Sequence, residues 1–195
     1  ERVQGRAVGL EKGAKPAAII EHPDVRRMLM TMRAQTEAIR AVAYVTGAAM
    51  DHAKREPDAE ARKRHQAFVD LMIPIVKGHS TEVAQEVASL GIQVHGGMGF
   101  IEETGAAQHF RDARIITIYE GTTGIQANDL VGRKTARDGG AVAKSVVGEV
   151  AKVARRLGGS GDSALKAIGS RLAAAVATLD RTIDWLVSNA GGNAR

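Results

Sequence analysis

A chain of 195 residues is long enough for one sizeable core, or for one domain with an appendage, and its 44% apolar and 25% charged residues exclude disorder along most of its length. The absence of cysteine excludes disulfides and thiolate metal sites, and no apolar run approaches the roughly 20 residues of a membrane span or marks a secretory start. A formal charge of +5 suits phosphate-bearing ligands, whereas 3% aromatic content and the lack of any recognised motif argue against nucleic acid.

With aromatics scarce, the apolar residues are mostly Ala, Val, Ile and Leu, which favours helices packed closely through small side chains. An all-α fold is expected. Residues 1 to 22 carry Gly5, Gly9, Gly13 and Pro16 without a sustained period and read as an irregular arm. His22-Pro23-Asp24 then starts a helix whose face carries Val25, Met28, Met32, Ile39 and Val42, reaching about residue 54. The doubly charged run AKREPDAEARKRHQ reads as a solvated loop. An apolar face follows through Phe68, Leu71, Met72, Ile75, Val76, Val83, Val87 and Leu90, with Pro74 either kinking one helix or opening another.

Glycines 96, 97 and 99 end that helix in a turn where backbone can approach a ligand closely. Residues 103 to 112 read as helical, and the β-branched run Arg114 to Ile118 reads as extended or irregular chain leading to Tyr119. Thr122 or Thr123 is a good N-cap for a helix through Ile125, Leu130 and Val131. Past Asp138-Gly139-Gly140, one stripe runs Val142, Val146, Val150, Val153, Leu157. After GGSGDS another runs Leu165, Ile168, Leu172, Val176, Leu179, Ile183, Leu186. These make a helical hairpin, with Trp185 read as a packing anchor and residues 191 to 195 as a fraying tail.

The segment QVHGGMGFIEETGAAQHFRDARIITIYEGTTGIQ, Gln93 to Gln126, sets one carboxylate, Glu120, beside Gly121 at a helix start. By its chemistry alone, Glu120 is equally a helix-start carboxylate favoured by the macrodipole. Glu102, Glu103, Arg111, Asp112 and Arg114 read as ion-pair or interface residues. The six histidines never fall within a helical turn of one another, so no metal site is indicated.

YEGT at Tyr119 to Thr122, with HFRDARI and QVHGGMGF upstream, closely resembles the C-terminal α-helical domain of the flavin-dependent acyl-CoA dehydrogenases. The resemblance covers residues 1 to about 138 and is specific from 93 to 126. It implies a bundle of about four helices over residues 1–138, with residues 139–195 as the helical extension seen in larger bacterial relatives. It implies FAD as cofactor and Glu120 as the base that takes the α proton of an acyl-CoA. Such a base must be unhindered and largely desolvated; Gly121 removes bulk beside it, and the apolar approach chain can bury it.

The same resemblance matches Gly121 to a substrate contact and Gln93, Gly96, Gly97, Thr122 and Gly124 to flavin contacts. Arg2, in ERVQGR, matches an arginine that meets the flavin pyrophosphate, although its spacing to Gly5 is one residue shorter than in the family. The family implies an electron-transfer flavoprotein as acceptor, homodimers or homotetramers, a bacterial cytoplasmic setting, and two upstream domains needed for activity. The opening on Glu1 reads as the start of a fragment. An acyl-CoA oxidase and a non-catalytic helical interaction module are the alternatives.

Overall fold

The computed structural model describes residues 2–9 and 13–190; Glu1 and the tail expected to fray lie outside them. The described residues are helical throughout apart from turns and one isolated antiparallel bridge, Val3 to Ala18. The all-α expectation is met. The long helices are α1 (Pro23–Arg55) and α2 (Ala59–His95). Three short ones follow, α3 (Gly97–Phe100), α4 (Ala106–Ile116) and α5 (Thr123–Asn128), and then α6 (Ala141–Gly158) and α7 (Ser163–Asn189). Cα packing divides the chain into two units, Glu1–Tyr44 with Gly78–Thr123, and Val45–Lys77 with Gly124–Arg195.

In the first unit the arm is tied down by backbone pairing. Gln4 N donates to the Ala17 carbonyl at 3.0 Å, and Ile19 N to that of Arg2 at 2.8 Å. Pro23 opens α1 as its first residue, where a missing N–H costs nothing. Met28 and Val83 are buried, as are Ala106 and Ala107 at the start of α4. Gln35 Nε2 donates to Glu86 at 3.2 Å, linking α1 to α2. The β-branched run from Arg114 is not extended: α4 continues to Ile116, because hydrogen bonds continuing from Ala106–Asp112 outweigh the weak strand preference of two isoleucines.

In the second unit the charged run expected as a loop is mostly helix, with only residues 56–58 between α1 and α2. Asp58 caps α2, accepting from Glu60 N at 3.0 Å and Ala61 N at 3.2 Å. Pro74 lies inside an unbroken α2, so the helix absorbs the lost N–H. The core gathers Leu71, Ala143, Val147 and Ile183, with Ile75, Leu130 and Val176 packed against it. After α5 the chain widens into a π-helical segment, Asp129–Thr135, and then tightens into a 3-10 turn to Asp138.

The α6–α7 hairpin is present, but its buried stripe is turned from the expected one. Ala143, Val147 and Ala154 face inward, while Val150 and Val153 are exposed. The reason is close backbone approach: a Cβ on Gly169 of α7 would stand 2.5 Å from Gly158 N and 2.9 Å from the Ala154 carbonyl. Small residues therefore win the contact over larger valines. Trp185 is 64% exposed and is not a buried anchor among the described residues. Ile183 and Val187 take the inner face, and a residue two places along points the other way.

Candidate active site

The turn between α4 and α5 carries Glu120. Helix α4 ends on Thr117, whose buried hydroxyl donates to the Arg114 carbonyl at 3.0 Å and accepts from the Arg114 guanidinium. Ile118 N and Tyr119 N then share the Ile115 carbonyl at 3.0 and 3.1 Å. The chain reverses through two left-handed residues, Glu120 at φ 52° and Gly121 at φ 100°. Glu120 is the one non-glycine with positive φ among the described residues, a conformation that costs a side-chain-bearing residue about 1 to 3 kcal/mol. Thr122 follows, Thr123 opens α5, and Gly124 lies in its first turn. Thr123 Oγ1 donates to Glu82 Oε1 on α2 at 2.6 Å, which pins the end of the turn.

Burial of Glu120 by its own approach chain is not found. Glu120 is exposed, as are Ile115, Ile118 (46%) and Tyr119 (49%). At positions i, i+3 and i+4 these side chains share one face, and that face is turned to solvent. The result is a carboxylate beside an uncovered apolar surface.

The glycine turn forms the second cluster. Gln93 lies exposed in the last turn of α2, and Gly96 adopts φ 64°, ψ −146°, a region open essentially to glycine alone. Gly96 N returns to the Gln93 carbonyl at 3.1 Å, and Gly99 N to that of Gly96 at 2.8 Å. A Cβ on Gly97 would meet open space, whereas one on Gly99 would stand 2.3 Å from the Ile92 carbonyl oxygen. Gly97 thus leaves the backbone approachable and Gly99 keeps the turn closed. Phe100, at the end of the turn, is 81% exposed.

The structure brings Arg2 to this turn. Its guanidinium donates to the His95 carbonyl and, at 3.1 Å, to that of Val94, capping the C-terminal end of α2. A Cβ on Gly96 would lie 3.1 Å from Arg2 Nη1. Two of its donors are committed to carbonyls, and a guanidinium has five. The surrounding charges serve the scaffold: Arg111 pairs with Glu102 at 3.4 Å, and Gln108 donates to Asp112 at 2.6 Å. An apolar cleft of about 580 Å³ lies among α1, α2 and α4, lined by Met32, Ile39, Val83, Val87 and Ala106, with His95 and His109 at its edge. It contains no carboxylate, so it offers a greasy volume without a base.

The sequence reading also missed a cluster. His52 on α1, Glu56 in the turn that follows it and His65 on α2 bring their ligand-type atoms within 4.8 Å of one another. The expectation of no metal site rested on histidine-to-histidine spacing, and a contact across a helical turn leaves no such spacing.

The glycine turn and the Glu120 turn both lie within a stretch that matches a known family. Residues 11–135 match the model of the acyl-CoA dehydrogenase C-terminal domain. The chain is 52% identical over 192 residues to 3-methylmercaptopropionyl-CoA dehydrogenase of Ruegeria pomeroyi, covering 98% of this chain and 32% of that protein. It is 38% identical over 178 residues to the broad-specificity linear acyl-CoA dehydrogenase FadE5 of Mycobacterium tuberculosis, covering 90% of this chain and 29% of that one. The chain therefore spans about a third of the length of these relatives. The solved structure of Bd2924 in its apo form shares the fold, with a TM-score of 0.63 at 18% identity over 92% of this chain and 36% of that one. With more than half its length inside the family match, this chain belongs to the acyl-CoA dehydrogenases and carries their C-terminal domain.

Proposed function

We propose that this chain is the C-terminal part of an FAD-dependent enzyme that oxidises a fatty acyl-CoA between its α and β carbons to the trans-2-enoyl-CoA. The observation that carries the reading is Glu120 itself, a carboxylate held at φ 52° on an exposed turn beside Gly121. A strained side-chain-bearing residue where glycine would be cheaper points to a functional demand. Glu120 takes the α proton, and Gly121, lacking a side chain, leaves room for the thioester beside it. Covering the apolar surface of Ile115, Ile118 and Tyr119 by the rest of the protein would exclude water from that transfer.

The residues present fit a dinucleotide cofactor. Gly97 leaves space at the turn, and Arg2 places a cation beside Gly96. Gln93, Thr122 and Gly124 complete the contacts we assign to FAD, which supplies the acceptor for the β hydride. Electrons then pass to an electron-transfer flavoprotein. In this reading residues 139–195 are an appended extension, and the 195-residue chain alone is inactive and holds FAD poorly; a stoichiometric flavin spectrum on it would refute that.

The test uses the longer polypeptide carrying this domain and its Glu120→Gln variant, mixed anaerobically with butyryl-CoA, 3-methylmercaptopropionyl-CoA and long-chain acyl-CoAs. Bleaching of the flavin absorbance by at least one thioester is expected, slowed at least about 100-fold in the variant with flavin retained. Equal bleaching in both would remove Glu120 as base. Peroxide in stoichiometric yield under air would make the protein an oxidase.

A further inference from the structure

We propose that His52, Glu56 and His65 form a binding site for a divalent transition-metal ion of the zinc class at the turn joining α1 to α2. His52 stands in the last turn of α1, Glu56 four residues on and just past its end, and His65 in the second turn of α2. The three-residue turn between them is braced. Asp58 caps α2, and Arg62 Nη1 donates to the Glu56 carbonyl at 2.6 Å and the Pro57 carbonyl at 3.0 Å. Ligands from two helices are thus set by a short rigid connection.

His52 Nδ1 and a Glu56 carboxylate oxygen are 3.4 Å apart, and all three ligand atoms lie within 4.8 Å. Bonds of about 2.0 to 2.2 Å in a tetrahedral sphere separate ligand atoms by roughly 3.4 Å. One pair is already at that spacing, and the third ligand needs to close by roughly 1.5 Å. Side-chain rotation delivers this, since His52 is 57% and Glu56 33% exposed at the side chain. The imidazoles stack with centroids 4.8 Å apart and planes 20° from parallel.

The neighbouring cations do not compete for Glu56. Lys63 pairs with Glu60 at 2.8 Å, Arg64 with Asp58 at 3.8 Å, and Arg62 is held by backbone carbonyls. Two imidazoles and one carboxylate suit borderline-soft divalent ions and leave a fourth position for water. The bound ion would cross-link the end of α1 to the start of α2.

The untagged chain, stripped with a chelator, is titrated with Zn²⁺ by calorimetry, alongside His52→Ala, His65→Ala and the control His79→Gln. One equivalent binding at micromolar affinity or tighter is expected, weakened more than about tenfold in the first two variants and unchanged in the control. Uptake without stoichiometry, or equal affinity in all four proteins, overturns the site. Should either alanine variant lose its helical circular dichroism, Cu²⁺ electron paramagnetic resonance on the unaltered chain decides. Coupling to two imidazole nitrogens supports the site, and fewer than two overturns it.

Discussion

Glu120 and Gly121 show what one backbone angle decides. Since Glu120 sits at φ 52°, Glu120→Gly relieves strain that exceeds glycine's added chain entropy. It should raise stability by up to about 1 kcal/mol in urea denaturation while removing the proposed base, so stability and turnover move in opposite directions. The glycine turn separates fold from ligand contact in the same way. Gly99→Ala drives a Cβ into the Ile92 carbonyl at 2.3 Å and should cost about 2 to 3 kcal/mol. Gly97→Ala meets open space and should shift stability by no more than about 0.5 kcal/mol, its effect falling on flavin affinity in the longer polypeptide. In sequence the three glycines of this turn look alike. Their different demands come from what α2 places behind each one.

At the scale of elements, α6 and α7 depend on backbone proximity. Gly169→Ala has Gly158 N at 2.5 Å from the new methyl and should destabilise the second unit by about 1 to 3 kcal/mol, read as a lower thermal midpoint. The hairpin is also tied by Lys144, which bonds Asp184 and lies 4.0 Å from Asp180. The Asp184 hydrogen bond, aided by attraction to both carboxylates and opposed by partial desolvation, holds the Lys144 ammonium above its ordinary value. A folded-state value above that of the unfolded chain means the contribution is fully present below about pH 10.4, the unfolded lysine value. It is lost as pH rises through the higher folded value. The midpoint should fall over that alkaline window less steeply in Lys144→Met than in the unaltered chain. The hairpin was legible from its two apolar stripes and the GGSGDS turn. Its rotation onto Ala143, Val147 and Ala154 was not, because hydropathy ranks valine above alanine and carries no information on how closely two backbones approach.

Over the whole molecule, large apolar side chains remain uncovered: Met30, Tyr44, Phe100, Tyr119 and Trp185 are all exposed. Scattered single residues need no account, but Met98, Phe100 and Ile101 are consecutive or near neighbours on the glycine turn, which suits an interface. We expect the chain to self-associate in sedimentation equilibrium, and Phe100→Ser to shift it toward monomer with the helical content unchanged. No described helix is long and apolar enough to cross a membrane. The all-α class, the first long amphipathic helix, the hairpin and the Glu120 segment were legible in sequence alone, because local periodicity, glycine placement and a contiguous motif act over a few residues of chain, whereas the unbroken run of α2 through Pro74 was not. Tertiary structure alone decided three things: that Arg2 caps α2 at the glycine turn, that Glu120 stands exposed at a strained angle, and that His52, Glu56 and His65 converge. Each of these depends on through-space distance or on a backbone angle fixed by its surroundings, and spacing along a chain encodes neither.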